Sequence, residues 1–311
     1  MLELHSEYRT LLTQALIGVM VVALGLGNLL SAQSTSHAKR GNFQAWNVHW
    51  QPSRLVNGSP LLIGVHAPLP LTSLSGTWLS HDLEFAPDES GHVTWYAVAG
   101  TSLETPAGVY TLHLSGKSKS GSSVTFEQRI TVKRAHYPKT SVSVDHKFTE
   151  PDAAELKQID EDRTLKHEVF GRISSAQEWE GDFQAPVTAA VSGVFGSSRV
   201  FNGKTLSVHE GLDYAVPAGT PVAAVNRGTV VLARPMFFEG NCVVIDHGQG
   251  LMTLYLHLSK IRVQEGEQVS RGGIVGLSGG TGRSTGPHLH VAVRWQGIYL
   301  DPSTLFQLRI P

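Results

Sequence analysis

Two long stretches of this chain place apolar residues at every second position and interrupt them with a turn about every ten residues, the pattern of short strands that each bury one face. Between Asn42 and Lys133 the alternation runs through Trp46, Val48 and Trp50, then Leu61, Ile63 and Val65, then Val93, Trp95 and Ala97. It continues through Tyr110, Leu112 and Leu114 and closes with Ile130 and Val132. Asn57-Gly58, Ser75-Gly76, Ser90-Gly91, Pro106-Ala107-Gly108 and Gly121 supply the turns. With no helical period between the runs, residues 40–136 are predicted to form an antiparallel β-sandwich. The second stretch begins at Gly181. Apolar runs at 221–225, 229–233, 242–246, 251–257, 269–275 and 288–295 are divided by glycines, and 19 of the 32 glycines fall at or after Gly181. Glycine supplies the positive φ that tight turns demand, so residues 181–311 are predicted to form a second antiparallel β domain.

Only the segment 150–180 breaks this rhythm. It is charged and nearly glycine-free, with Leu156, Ile159, Leu165, Val169 and Ile173 at roughly helical intervals. A helix is expected over 152–170, with Pro151 near its first turn, linking the two β domains or covering one of them. The fold class is therefore mainly β: an N-terminal β-sandwich, a linker helix and a C-terminal antiparallel β domain.

Residues 11–30 form the only long apolar run, followed by a polar segment. Residues 1–32 are read as a signal peptide or membrane anchor, because the run lies between a signal h-region and a spanning helix in length. Export to the periplasm or cell envelope follows, with membrane contact only through this segment. A net charge of -1, from 25 Lys+Arg against 26 Asp+Glu, leaves no basic excess for nucleic acid. The single cysteine, Cys242, allows no internal disulfide.

The chain holds 15 histidines, of which five follow Gly181. His49, His66, His81, His92 and His113 lack ligand spacing and read as surface or satisfied core residues. Downstream the pattern differs. His209 stands four residues before Asp213, His257 ends the run 253–257, and His288 and His290 flank Leu289. A catalytic zinc site needs three protein ligands with the fourth position left for water, and His209, Asp213 and one of the His288/His290 pair supply that set. Residues i and i+2 of a strand share a face, so His288 and His290 flank one point while Leu289 enters the core. The same rule puts Thr253, Tyr255 and His257 on one side and turns Glu210 away from His209. Surplus imidazoles suit proton transfer to and from water and a leaving amine. His247, in Asp246-His247-Gly248, reads as structural, and Cys242 as a small buried hydrophobe.

Taken in order, His209-x-x-x-Asp213, Gly219-Thr220-Pro221-Val222, Asp246-His247-Gly248, Tyr255-Leu256-His257 and the run from Gly280 to His290 resemble the lysostaphin/LytM-type zinc peptidases, the M23 family of peptidoglycan endopeptidases. The resemblance spans about residues 186–302. It implies a zinc ion (Zn2+) held by His209, Asp213 and His290, His257 and His288 as the catalytic pair, and peptidoglycan peptides as substrate. It also implies a compact β domain crossed by a groove. The turn at 105–110 resembles immunoglobulin-like domains that precede such peptidases. One departure stands out: some members carry a tyrosine near the first ligand, whereas none lies here between Tyr137 and Tyr214. The sequence leaves open whether Arg199, Asn202 or neither takes its place, and which peptide bond is cut. The competing function is a non-catalytic adaptor regulating another envelope hydrolase. Such members lose ligand residues, and here all five positions are filled.

Overall fold

Alternating burial builds the N-terminal half from two four-stranded antiparallel sheets. The computed structural model describes residues 45–88, 93–203 and 205–311, so the segment 1–32 and His92 lie outside the described residues. One sheet orders β1 (Asn47–Gln51), β2 (Pro60–His66), β6 (Thr94–Gly100) and β5 (Ala86–Pro87) as β1-β2-β6-β5; the other orders β4 (His81–Glu84), β3 (Leu71–Trp78), β7 (Gly108–Ser118) and β8 (Ser123–Val132) as β4-β3-β7-β8. Leu61, Ile63, Val65, Trp95, Leu112, Leu114, Ile130 and Val132 are all buried. The Trp78 indole donates to Gly100 O at 2.9 Å, satisfying its N–H inside the core. Tyr110 Oη donates to Pro106 O at 2.8 Å and pins the preceding turn.

β2 departs from simple alternation, since Pro60 to Val65 are buried on both faces. The second half of the chain covers the outer one. Tyr96 packs on Trp179 with ring centroids 5.9 Å apart, and a Cβ on Gly100 would stand 2.4 Å from Leu300. Asp301 N donates to Gly58 O at 2.8 Å, and the Gln51 side chain exchanges two hydrogen bonds with the Arg309 backbone. The described residues accordingly form one compact unit with a buried cluster running from Leu55 to Leu308.

After β9 (Lys139–Val142) and a 3-10 turn at His146–Phe148 comes α1 (Ala153–Phe170). Asp152 caps it: its carboxylate accepts from Ala154 N and Glu155 N, while Glu155 accepts from Asp152 N. That reciprocal box fixes the start that Pro151 marks in the sequence. The helix links the two β regions, and its C-terminal end covers part of the second sheet. Val169 is buried and Leu165 and Phe170 are partly buried against Leu232, Met236, Met252, Leu254 and Leu256, whereas Leu156 stays 54% exposed.

The remaining strands are β10 (Val191–Gly193), β11 (Ser198–Phe201), β12 (Thr205–Val208), β13 (Leu212–Tyr214), β14 (Pro221–Ala223), β15 (Gly228–Met236), β16 (Gly240–Asp246), β17 (Leu251–Leu258), β18 (Lys260–Ile261), β19 (Gln268–Val269), β20 (Ile274–Leu277), β21 (Leu289–Trp295) and β22 (Ile298–Leu300), before the short α2 (Pro302–Leu305). An antiparallel sheet in the order β10-β13-β21-β17-β16-β15-β19, with β22 on β21, carries the site. One face, with Val243, Ile245, Tyr255, Val291 and Val293, joins the main core, and the other lies beneath α1. The mainly β, antiparallel expectation holds. The run 269–275 is not one strand, however: Gly272 at φ +84° turns the chain between β19 and β20.

Candidate metal centre and its groove

Strand register brings the proposed ligands together. Asp213 on β13 lies directly opposite His290 on β21, and His209 stands one residue beyond the end of β12. The intervening Gly211 has a steric reason: a Cβ there would lie 2.4 Å from His290 Nε2 and 2.5 Å from Val291 O. Gly211→Ala is expected to displace the His290 ring and weaken metal binding by about 10- to 100-fold, the range seen when a ligand's supporting shell is disturbed. Zinc titration with a competing chelator checks this, and unchanged affinity would show that the ring has room to yield.

His209 Nε2, Asp213 Oδ1 and His290 Nδ1 form a tight triangle, with separations of 3.0 Å (His209–Asp213), 2.9 Å (His209–His290) and 2.8 Å (His290–Asp213). All three residues are buried. Among the described residues they are the group whose ligand atoms converge in the manner of a metal site. His209 Nδ1 lies 2.8 Å from Val194 O. A carbonyl only accepts, so Nδ1 carries the proton, and in neutral His209 the Nε2 lone pair faces a carboxylate oxygen. Two converging lone pairs need a cation between them, and the two-imidazole, one-carboxylate set matches the donors zinc prefers at about 2.0–2.2 Å. The residues fit the ion. Burial pushes the His290 pKa down to about 4, against the pull of Asp213, so the ring is held neutral as a ligand must be. Burial acts to raise the Asp213 pKa, but the imidazoles of His209 and His290 beside it overcome this and hold the carboxyl well below its usual range.

The second oxygen of Asp213 is also occupied: Arg199 Nη2 donates to Oδ2 at 2.5 Å. Arg199 is therefore the residue of this loop that reaches the centre. Asn202 does not, because its amide bonds Val144 N, Val144 O and Thr149 Oγ1 and ties the linker to β11.

His257 and His288 stand beside the triangle, their rings 4.9 Å apart, with His257 5.9 Å from the His290 ring. Each commits one nitrogen to the backbone. His257 Nδ1–H donates to Thr281 O and His288 Nδ1–H to Gly286 O, both at 2.8 Å. Both rings are thereby fixed in the tautomer that leaves Nε2 as the acceptor, and His288 Nε2 lies 3.8 Å from Asp213 Oδ1. Burial, together with the neighbouring His290 and His288, drives the His257 pKa down to about 3.

Strand alternation misplaces one of these residues. Thr253 and Tyr255 point into the core, where their hydroxyls and His247 form a buried chain: Thr253 Oγ1 lies 2.8 Å from His247 Nε2, and His247 Nδ1–H donates to Arg227 O at 2.6 Å. His257 leaves that face. It sits at φ +62° in a bulge where β17 has an extra residue against β16, since Asn241 pairs with Leu258 but Val243 with Tyr255. It joins Leu254 and Leu256 along the groove. Glu210 also lines this groove and does not turn away, because residues 209–210 lie past the end of β12, where strand alternation no longer applies. The groove, about 490 Å³, is bounded further by Val142, Val144, Phe201, Phe238 and Arg283. Of these, Val142 and Val144 come from the segment before α1, where β9 pairs in parallel with β11, a contribution with no local sequence signal. Cys242 is fully buried. His113 pairs with Glu127, and His81 stacks on Trp295.

Residues 207–302 match the profile of peptidase family M23. The chain is 56% identical over 87 residues to the peptidoglycan DD-endopeptidase ShyA of Vibrio cholerae serotype O1, covering 28% of this chain and 20% of that protein. It is 45% identical over 98 residues to the DD-carboxypeptidase/endopeptidase Mpg of Neisseria meningitidis serogroup B, covering 32% and 23%. The matches thus span about a fifth to a quarter of these relatives' lengths. A crystal structure from Pseudomonas aeruginosa assigned to peptidase M23 superimposes with a TM-score of 0.61 at 30% identity, over 81% of this chain and 94% of that one.

Proposed function

The chain belongs to peptidase family M23, and on that premise we propose that it is a zinc-dependent endopeptidase hydrolysing peptide bonds in the stem or cross-link peptides of peptidoglycan. The observation that carries this reading is the pair His257 and His288: two imidazoles beside a three-ligand cluster in one groove, each with its Nδ1 proton tied to a backbone carbonyl.

Held by His209, Asp213 and His290, zinc supplies a Lewis acid that polarises the scissile carbonyl and lowers the pKa of water to about 7. The chain's own groups do the rest. With Nδ1–H fixed, the open Nε2 of one of the two histidines takes a proton from the attacking water and returns it to the leaving amine, while the other ring lines the groove beside the reacting carbonyl. Arg199 orients the carboxylate through its second oxygen. Five filled positions support catalysis over the adaptor alternative. Because peptidoglycan lies outside the cytoplasmic membrane, the proposal includes export, in keeping with the apolar run at 11–30.

Incubating zinc-loaded protein with defined muropeptide dimers and mapping the products by mass spectrometry tests the reading. Dimers are expected to be converted to monomers by addition of one water across a single amide bond. Intact dimers after prolonged incubation, with stoichiometric zinc present, would sink it in favour of the adaptor.

A further inference from the structure

Among the described residues Arg283 is the arginine of the groove that no carboxylate hydrogen-bonds, although Glu239 on the same wall acts on its charge. Its guanidinium carbon lies 4.5 Å from the Phe201 ring centroid and 4.6 Å from that of Phe238, and all three side chains line the groove that holds His257 and His288. Both rings stand within cation–π distance of the guanidinium, contacts that do not use up its N–H donors. Among the described residues no carboxylate forms an ion pair with it. The other cations along the groove are committed, Arg199 to Asp213 and Lys166 to Glu239.

Its position is rigid. Arg283 N donates to Phe238 O at 2.8 Å, and a Cβ on the preceding Gly282 would lie 2.3 Å from Gly240 N, so the two loops meet backbone to backbone. The Thr281 carbonyl that orients His257 lies two residues earlier in the same loop. A partly desolvated charged fork is thus held near the reacting centre, with no carboxylate ion-paired to it among the described residues.

We propose that Arg283 is a specificity-determining residue whose guanidinium, clasped by Phe201 and Phe238, receives a free carboxylate of the bound stem peptide. The inference rests on the peptidoglycan reading and names the substrate feature that the site selects. A main-chain carbonyl would satisfy one N–H; a carboxylate satisfies the fork bidentately and supplies the missing charge. Stem peptides offer that group at the C-terminal D-alanine and at the diamino acid of the cross-link.

The test measures binding of synthetic cross-linked stem-peptide dimers to full-length, zinc-loaded His288→Ala protein by calorimetry, using the free dimer and dimers amidated at one carboxylate or the other. Amidating the recognised carboxylate is expected to weaken binding by about 10- to 100-fold, the range for a charged hydrogen-bonded pair, and the arm that shows the loss identifies the source. Arg283→Gln in the same background should bind the free dimer as weakly and be indifferent to amidation, whereas Arg283→Lys should recover part of the affinity. The substrate-side arms need no Arg283 variant, so a folding defect in one does not decide the outcome. Binding insensitive to amidation at either carboxylate, or absent with every dimer, overturns the inference. Cleavage by the unsubstituted protein is followed in parallel. Its absence would end the peptidase reading alone, while carboxylate-dependent binding would still uphold the role of Arg283.

Discussion

His290→Ala protein is expected to emerge from dialysis with zinc near zero instead of one ion per chain, and to hydrolyse peptidoglycan at least ~10³-fold more slowly, because water with a pKa near 15.7 must then be activated by histidine alone. The structure makes this residue hard to replace. His290 faces Asp213 across the β13–β21 register, and its ring fills the space that Gly211 leaves open. Removing the imidazole breaks the triangle at two of its three edges, leaving only His209 Nε2 and Asp213 Oδ1 in contact. Two ligands do not make a zinc site of this class. The fold should survive, since Leu289, Val291 and Val293 keep β21 in the core. Metal analysis, far-UV circular dichroism and digestion of sacculi report on the three points separately. A variant that keeps zinc and digests sacculi at the parental rate would remove His290 from the ligand set.

His288→Ala should separate chemistry from metal binding. His288 is not part of the triangle: its Nδ1 is bonded to Gly286 O, and its Nε2 stands 3.8 Å from Asp213 Oδ1, beyond hydrogen-bond range. Zinc content is therefore expected to stay near one ion per chain, while turnover falls by about 10²- to 10⁴-fold, the usual contribution of a positioned acid–base group. The ring is only partly buried, so its loss should cost little stability. Parallel loss of zinc and activity would make His288 a ligand and reopen the assignment of the pair. Unchanged turnover would leave His257 as the single acid–base candidate.

The parts of this protein that were legible in its sequence are those set by local periodicity. Alternation located the sandwich strands and most strands of the second sheet, and the helical spacing from Leu156 to Val169 together with Pro151 located α1. The spacing of the proposed ligands is equally local: His209 and Asp213 lie four residues apart, and His288 and His290 bracket one buried leucine. Features that depend on pairing between distant segments were not legible. His257 reaches the groove only because β17 carries one more residue than β16 at that point, and a bulge of this kind has no signature in the strand that bears it. Arg199 could be named as a candidate, but the choice between it and Asn202 required knowing that Asn202 is occupied by Val144 and Thr149, more than fifty residues earlier. α1 carried enough apolar residues to mark a helix; which end would pack depended on the sheet beneath it.

The parallel pairing of β9 with β11 bears on how such a protein can be taken apart. Residues that connect the sandwich to the helix supply Val142 and Val144 to the rim of the cleft, while Tyr137, just upstream, donates to Asn57 O in the sandwich at 2.6 Å. The C-terminal β domain is therefore tied to the segment before α1 through the β9–β11 pairing. Excision at Gly181 would strip β11 of a neighbour, expose the backbone groups that β9 had paired, and create a raw sheet margin of the kind that invites intermolecular strand addition. A shuffling experiment, or a lineage exchanging modules by recombination, would keep the cleft's rim whole by cutting upstream of β9 and carrying the connecting strand along with the C-terminal domain.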